Sequence, residues 1–529
     1  MEKKKKLIIL GVIILILAIS GLTYAILTWT SSKINIGLTS GCFTIDYTKG
    51  QDISGNLKLI NVGESFDGNG NFVIKEGMGL SYANLGIKSS CTIEGYGSLY
   101  LNVTTLSDSF KEGGDSNGAL GYALLRNTSN LSNDKLTIEN LKGQSFEMID
   151  SKPITNTGTI KLVTEQLSNT ELNKYLIVIF VDNALAGNSV TSATFQGNIS
   201  ADANQGKAPV NAVSLITDLY NNATKTPVTN NSITYQYDTA HNLMKDNAGN
   251  IRYYGASPNN YIYFNCSDYS NQSSSTCETW RIIGVFNNKV KLIRGSQIGT
   301  YSWDNKDKTT GAETNYGKND WTEARLMKLL NPGYDSETIG GSLYYNAESG
   351  TCYVGKNNAT KTCDFTSTGI KNDKTRGLIS EETYSLLGWN TSSIYANEIY
   401  EYERSTGKVY SDRSKEWTGK IALAYPSDYG YAVDLSKCSQ NLNNYENSTC
   451  KSNNWMKTIV NNGSSNAGLL LTPGSGNSNY AWYVYSSGGV SSSSDAYIAF
   501  GVTPVLYLNS ELAVKSVTGS SSEPYQLAV

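Results

Sequence analysis

The first 29 residues contain a long apolar run that follows a cluster of charge. Lys3–Lys6 precede Leu7–Trp29, a stretch of 23 residues without a charged side chain. As a helix this stretch would extend about 34 Å, which exceeds the roughly 30 Å hydrocarbon core of a bilayer. Lysines on one side of such a helix favour a cytoplasmic N-terminus. We therefore expect residues 1–29 to form one transmembrane helix, with the rest of the chain outside the cell.

Two fates of this segment stay open. The sequence "LTYA" at Leu22–Ala25 places small residues near a cleavage point, as in a signal peptide, whereas the apolar run continues beyond it, as in an anchor. Retention predicts a single-pass protein of the cell membrane with an extracellular domain. Cleavage near Ala25 predicts a secreted protein.

The cysteines fit an extracellular location, because thiols oxidise there and stay reduced in the cytosol. Six of the eight cysteines form three local pairs that each enclose ten or eleven mostly polar residues. A zinc site needs closely spaced ligand pairs or nearby histidines, and the chain has the single histidine His241. We therefore expect three local disulfides and one remaining couple: Cys266–Cys277, Cys352–Cys363, Cys438–Cys450, and Cys42 with Cys91.

The composition narrows the classes of function. Charged residues make up 17% of the chain, below the roughly 25% of an average soluble domain, and 36 tyrosines recur along it. Aromatic and β-branched residues throughout the chain disfavour disorder. The formal net charge is −3 and no basic stripe is present. Because phosphate binding depends on clustered lysine and arginine, we expect no nucleic-acid partner.

Residues 30–204 show the pattern of short antiparallel strands. Apolar and polar side chains alternate between turn residues, for example in Ser98–Leu106 and Thr159–Leu167. The segment "KYLIVIFVDN" at Lys174–Asn183 is continuously apolar, which is typical of a central strand. We predict an antiparallel β-sandwich for this region.

Residues 205–235 are predicted to be a linker with one short helix, because Val213, Ile216 and Tyr220 have helical spacing. Residues 236–529 mix strands and short helices. They include a predicted hairpin at Thr279–Arg294 that turns at Asn287 and Asn288, residues that tolerate positive φ. The predicted helices of this region are Asn319–Gly333 with Asp320 as its cap, Ser380–Trp389 and Asn453–Val460.

Five segments of residues 236–529 occur in a characteristic order. They are "DNAGNIRYYGASPNNYIYFNC", "CETWRIIGVFNNKVKLIRGSQIGTYSWDN", "NDWTEARLMKLLNPGY", "WTGKIALAYPSDYGYAVD" and "GVTPVLYLNSELAV". Together they resemble the C-terminal module of large surface proteins of Gram-positive gut bacteria. That module is similar to the C-type-lectin-like fold of formylglycine-generating enzymes, so the resemblance implies an α+β C-type-lectin-like module.

A second resemblance concerns the N-terminal half. The segment "YAILTWTSSKINIGLTSGCFTIDY" at Tyr24–Tyr47 is similar to the start of secreted biofilm-matrix proteins of the camelysin/TasA family. This resemblance implies a structural role in a matrix. The predicted fold class is thus β-rich and multidomain: a transmembrane helix, a β-sandwich and a C-type-lectin-like α+β module.

No motif of the chain supports catalysis. Formylglycine-generating enzymes use a closely spaced cysteine pair late in the chain, and no cysteine follows Cys450 here. Gly114–Gly118 matches G-x-S-x-G but lacks the strand and helix that a nucleophile elbow needs. Asp67–Asn71 begins like a calcium loop but continues without the required glycine and glutamate. We predict a protein that is not an enzyme, with no catalytic, cofactor or metal-binding residue; calcium binding stays open without a motif that supports it.

The segment "YAWYVY" at Tyr480–Tyr485 is the candidate ligand-binding strand. Side chains alternate along a strand, so Trp482 shares one face with Val484, and Tyr483 shares the other with Tyr485. A core position is the alternative for Trp482, since its face is the more apolar. The candidate ligand-binding residues are therefore Trp482, Tyr483 and Tyr485.

These features predict a bacterial cell-surface protein that binds an extracellular glycan or protein without catalysing a reaction. The alternative is a structural matrix protein whose mature chain polymerises by donating an end strand to its neighbour. The sequence leaves the oligomeric state and the identity of the ligand open.

Overall fold

The computed structural model describes residues 45–50, 53–54, 57–87, 94–515 and 518–529. The chain divides between Pro209 and Val210 into two compact units, and most paired strands run antiparallel. The predicted transmembrane helix and the predicted couple of Cys42 and Cys91 lie outside the described residues. Among the described residues, no helix combines the length and apolar character needed to cross a membrane.

The first unit is a strand framework with short helical turns. Its strands are β1 (Ile45–Lys49), β2 (Ile53–Ser54), β3 (Leu59–Ile60), β4 (Phe72–Val73), β5 (Gly79–Ile87), β6 (Gly95–Leu106), β7 (Leu120–Arg126), β8 (Ser145–Phe146), β9 (Met148–Pro153), β10 (Gly158–Leu167), β11 (Asn173–Asp182) and β12 (Phe195–Gln205). Its helical turns are α1 (Ile138–Leu141) and the 3₁₀ turns Val62–Glu64, Asp108–Phe110, Asn133–Lys135 and Asn188–Ser192.

Two sheets of the first unit share one core. One sheet has the order β1-β5-β11-β7-β9, with β3 also paired to β11, and the other has the order β10-β6-β12-β2. Leu99 and Leu101 of β6 lie in the same buried cluster as Ile177 of β11, whereas Leu176 of β11 lies in a second cluster. Because successive side chains of a strand point to opposite faces, β11 is buried on both faces. The predicted central strand is confirmed.

The second unit is assembled from many short elements. Its strands are β13 (Val210–Asn211), β14 (Thr226–Asn230), β15 (Ile233–Asp238), β16 (Leu243–Lys245), β17 (Ile251–Tyr253), β18 (Tyr261–Phe264), β19 (Glu278–Phe286), β20 (Lys289–Arg294), β21 (Thr300–Ser302), β22 (Ser349–Tyr353), β23 (Thr360–Asp364), β24 (Ile379–Ser380), β25 (Glu382–Ser385), β26 (Glu416–Gly419), β27 (Ile421–Ala422), β28 (Gly468–Pro473), β29 (Tyr480–Val484), β30 (Val490–Asp495), β31 (Ala499–Gly501), β32 (Val505–Leu508), β33 (Ala513–Lys515) and β34 (Gln526–Ala528). Its helices are α2 (Ala212–Asn222), α3 (Arg325–Leu330), α4 (Leu343–Asn346), α5 (Asp373–Leu378), α6 (Ala396–Glu401), α7 (Pro426–Tyr431), α8 (Ser448–Ser452) and α9 (Lys457–Val460). The 3₁₀ turns are Trp321–Glu323, Leu442–Asn444 and Asn462–Ser464, and a π-helical segment, Tyr402–Thr406, follows α6 directly.

Two sheets of the second unit contain most of the residues of the candidate sites. The larger has the order β14-β15-β16-β17-β19-β20-β32-β24, with β18 paired to β19 and β27 paired to β32. The other has the order β21-β31-β28-β29-β30. The predicted hairpin is confirmed as β19 and β20, and both of its turn residues have positive φ, 47° at Asn287 and 59° at Asn288. This backbone is that of a type I′ turn, in which asparagine is favoured.

The helix predictions have mixed outcomes. The side chain of Asp320 accepts a hydrogen bond from the Thr322 amide, as predicted, but an extended backbone at Ala324 separates a 3₁₀ turn from α3. The helix predicted for Ser380–Trp389 is wrong, because β25 pairs with β26 there. Tyr384 is buried with its ring centroid 5.5 Å from that of Trp417, so tertiary pairing decides the conformation of this segment.

The short helix predicted within residues 205–235 is confirmed as α2. Its N-terminus is capped by Asn211, whose side chain accepts hydrogen bonds from the amides of Val213 and Ser214. Ile216 lies in one buried cluster with Trp280 of β19. The structure thus places α2 in the core of the second unit.

The three local disulfides are present in the second unit. They join Cys266 to Cys277, Cys352 to Cys363 and Cys438 to Cys450, across separations of 11, 11 and 12 residues. All six side chains are buried. Each disulfide therefore closes a loop or hairpin at the point where the chain enters the core.

Replacing Cys352 and Cys363 together by serine should lower the free energy of unfolding by about 2–3 kcal/mol, because the closed loop restricts the unfolded chain. Urea denaturation of the oxidised protein measures this difference. The reduced wild-type protein is the control, and it should be destabilised by more than the double variant. Identical denaturation curves for wild type and variant would contradict this role of the bond.

Candidate functional site

The predicted ligand-binding strand is β29, which lies between β28 and β30. Trp482 is fully buried, and its indole Nε1 donates a hydrogen bond of 3.2 Å to the Trp389 carbonyl. Trp482 and Val484 belong to one core cluster. The structure thus places Trp482 in the core, where a ligand cannot reach it.

Tyr483 and Tyr485 lie together on the other face, as the alternation predicts. Their ring centroids are 4.8 Å apart, and Tyr483 stacks on Phe500 at 4.9 Å with an interplanar angle of 16°. Tyr483 is 8% exposed, whereas Tyr485 is 44% exposed. We name Tyr483, Tyr485 and Phe500 the tyrosine surface; Tyr485 is its most exposed member.

The backbone at Tyr485 is held on both sides. Its amide donates a hydrogen bond of 2.7 Å to the Gly489 carbonyl, and its carbonyl accepts one of 2.6 Å from Asn461 Nδ2. Burial raises the pKa of the Tyr483 phenol. The tyrosine surface therefore offers aromatic rings on a hydrogen-bonded backbone and the neutral hydroxyl group of Tyr483, which suit stacking and hydrogen bonding to a ligand.

The second unit contains a buried network of charges that was not predicted from the sequence. Arg252 of β17 donates from Nε to Asp246 at 2.6 Å and from Nη1 to Asp428 of α7 at 3.0 Å. Lys291 of β20 contacts the other oxygen of Asp428 at 2.5 Å. The side chains of these four residues are at most 1% exposed. We name Asp246, Arg252, Lys291 and Asp428 the buried ion network.

Charge pairing decides the ionisation of Asp428. Burial alone would raise its pKa, but Lys291 and Arg252 outweigh this effect and lower the pKa to about 2. Asp428 also accepts a hydrogen bond of 3.0 Å from the Tyr425 amide at the start of α7. Asp428 therefore joins two strands of the large sheet to a helix.

Glu403 is a second buried acid close to this network. Its carboxylate accepts hydrogen bonds from the amide and hydroxyl groups of Ser427, the amide contact being 3.0 Å long, and Arg404 lies 3.4 Å away. Burial raises the pKa of Glu403 to about 7, although Arg404 opposes the shift. Such an acid could transfer protons near neutral pH, but Glu403 has no exposed surface. A substrate cannot reach it, so we interpret its role as structural.

The other motifs form turns and local pairs. Asp67 Oδ1 accepts hydrogen bonds from the amides of Asn69 at 2.8 Å and Asn71 at 2.9 Å, and these bonds lower its pKa. His241 Nδ1 lies 2.7 Å from Asp238 Oδ2. Within the described part of the chain, no three His, Cys, Asp or Glu residues are grouped as metal ligands would be.

Comparison of the sequence with protein-family models and with curated proteins found no match. The resemblances to a C-type-lectin-like module and to the camelysin/TasA family therefore stay predictions.

Replacing Asp428 by asparagine should lower the free energy of unfolding by about 3–5 kcal/mol, because Lys291 and Arg252 would keep buried charges without their shared partner. Asp373→Asn is the matched control, since the Asp373 side chain is fully exposed and pairs with Arg376. The control should change stability by less than about 1 kcal/mol. Urea denaturation followed by tryptophan fluorescence compares the two, and equal effects would contradict the importance of the network.

The pH dependence of the Tm of Glu403→Gln tests whether the buried Glu403 carboxyl retains its proton on folding. The ordinary pKa of this carboxyl is 4.5, and its folded-state value is about 7. The folded protein binds the proton more tightly than the unfolded chain, so this stabilisation is complete below the unfolded pKa and is lost as pH rises through about 7. Glutamine resembles the protonated form. The decrease in Tm between about pH 5 and about pH 8 should be smaller in the variant by at least about 2 °C.

The control for this experiment is Glu416→Gln, because Glu416 is exposed on β26. Its decrease in Tm over the same pH range should match that of the wild type. A parallel pH dependence for Glu403→Gln and wild type would show that Glu403 does not retain its proton on folding.

Proposed function

We propose that the protein is a recognition protein of the bacterial cell surface that binds an extracellular glycan or protein without catalysis. The observation that carries this proposal is the tyrosine surface: Tyr485 presents an exposed ring that contacts Tyr483, and Tyr483 in turn stacks on Phe500. An exposed aromatic side chain with a fixed backbone loses little conformational entropy on binding, which favours a contact residue.

The proposed fold classes have support of different kinds. The first unit is proposed as a β-sandwich because two sheets contribute to one core. The second unit, with short helices and several antiparallel sheets, is compatible with the C-type-lectin-like α+β module that the sequence resembles. An extracellular location is supported by three disulfides, which persist in an oxidising compartment. Membrane attachment or secretion rests on the apolar N-terminal segment alone.

Polymerisation into matrix fibres is the alternative function. This alternative rests on strand β9, which is an edge strand of one sheet of the first unit. Met148 of β9 is 37% exposed. An open strand edge is a place where a second chain can add a strand. Electron microscopy of the mature chain distinguishes the two functions, because fibres that grow with protein concentration favour the matrix role.

Tyr485→Ala should weaken ligand binding about tenfold or more, since aromatic contact residues carry a large share of binding energy. Tyr485→Phe should retain most of the binding if stacking dominates. Tyr316→Ala is the matched control, because Tyr316 is 39% exposed elsewhere on the same unit. A glycan array with the oxidised full chain identifies the ligand class, and calorimetry measures the affinities.

The proposal would be contradicted if Tyr485→Ala and Tyr316→Ala both bound the ligand as tightly as the wild type. It would also be contradicted if both variants lost affinity equally, since general damage and not a local contact would then explain the loss.

A further inference from the structure

The second unit also contains an open cleft of about 520 Å³. Its walls include Tyr261 of β18, Arg281 of β19, Arg294 of β20 and Thr458 of α9. We name it the arginine cleft. Its volume lies within the roughly 300–1,000 Å³ range of small-molecule sites.

Arg281 is the unusual residue of this cleft, because it is 6% exposed and has no acidic partner among the described residues. Nε donates to Asn260 Oδ1 at 2.5 Å, and Nη2 donates to the Pro258 carbonyl at 3.2 Å. The guanidinium lies 3.7 Å from the ring centroid of Tyr261 and 4.9 Å from that of Trp455. Across the described ranges, no carboxylate lies within ion-pair distance of Arg281.

The second arginine of the cleft is neutralised. Arg294 donates to Glu278 from Nε at 3.0 Å and from Nη2 at 3.1 Å, and its Nη1 donates to the carbonyl and hydroxyl groups of Ser296. Glu278 also accepts a hydrogen bond of 3.0 Å from Trp280. One net positive charge therefore remains in the cleft, on Arg281.

Burial of a charge without an oppositely charged partner has an unfavourable desolvation free energy, and an anion that binds beside the charge offsets part of it. Two observations agree with this state of Arg281. Burial lowers its pKa to about 10. In addition, Arg281 Nη1 makes no hydrogen bond to the described residues. It is also not one of the fully buried polar atoms that lack a partner, so it keeps some contact with solvent. The guanidinium thus keeps a donor that a ligand oxygen can use.

We propose that the arginine cleft binds the carboxylate of an acidic sugar, with Arg281 as the charged partner. A single positive charge suits a carboxylate better than a doubly charged phosphate. Four residues that carry a hydroxyl group, Tyr261, Thr279, Ser296 and Thr458, line the same cleft. Side chains of this type suit the hydroxyl groups of a sugar ring. This site does not depend on the tyrosine surface, so either proposal can fail without the other.

A larger cleft in the first unit provides a contrast. It has a volume of about 840 Å³, and its arginine, Arg126, donates two hydrogen bonds to Glu165 at 3.0 Å and 2.6 Å. That charge is already compensated within the fold. This cleft therefore offers no comparable reason to attract an anion.

The test uses the oxidised full chain and two sugars that differ in one group, galacturonate and galactose. Calorimetry and the intrinsic tryptophan fluorescence of the chain, to which Trp455 beside Arg281 contributes, report binding. We expect saturable binding of galacturonate and at least about tenfold weaker binding of galactose. Arg281→Gln should abolish the preference for galacturonate, whereas Arg376→Gln, outside the cleft, should leave it unchanged.

Thr458→Glu covers the case in which Arg281→Gln does not fold. Thr458 is exposed at the cleft, so a glutamate there adds a competing carboxylate without removing a buried group. It should weaken galacturonate binding at least about tenfold. Equal affinities for galactose and galacturonate, or unchanged binding in Thr458→Glu, would overturn the proposal. Acetate that binds as tightly as galacturonate would overturn the assignment to a sugar.

Discussion

The contact between Asp428 and its two cationic partners connects the parts of the second unit. Arg252 and Lys291 belong to strands of the large sheet, and Asp428 lies in α7, so the three side chains fix the helix against the sheet. The next residue, Tyr429, donates a hydrogen bond of 2.9 Å to the Gly488 carbonyl. Gly488 belongs to the turn that follows Tyr485. The position of the tyrosine surface therefore depends, through one helix, on the buried ion network.

This arrangement separates charge from the surface proposed to bind a ligand. The buried ion network lies in the core, where removal of one partner of an ion pair is strongly destabilising. Tyr485 meets solvent with a neutral ring, and the three disulfides fix loops at the edge of the core. Arg281 departs from this pattern, because its charge is buried without an acidic partner. The departure is the reason that we assign a ligand to the arginine cleft.

Sequence periodicity predicted the features that depend on neighbouring residues. Alternation placed Tyr483 and Tyr485 on one face, and Asn287 and Asn288 marked the hairpin turn. The pattern failed for Ser380–Trp389, because the partner strand β26 is distant in sequence.

The buried ion network and the arginine cleft were beyond sequence reasoning. Asp428 lies 137 residues from Lys291 and 176 from Arg252. No local pattern reports such contacts, and Lys291 within "NKVKLIR" resembles an exposed strand residue. The lack of a carboxylate beside Arg281 is equally a property of the folded chain. It can be seen only when every neighbour is known.

Hydroxyl-radical footprinting of the oxidised full chain, with and without the glycan that binds most strongly on an array, tests the central claim most directly. The account predicts protection of Tyr485 on binding, no change at Tyr316, and recovery of the glycan chemically unaltered. Unchanged labelling of Tyr485 under saturating glycan, or conversion of the glycan to a product, would contradict it.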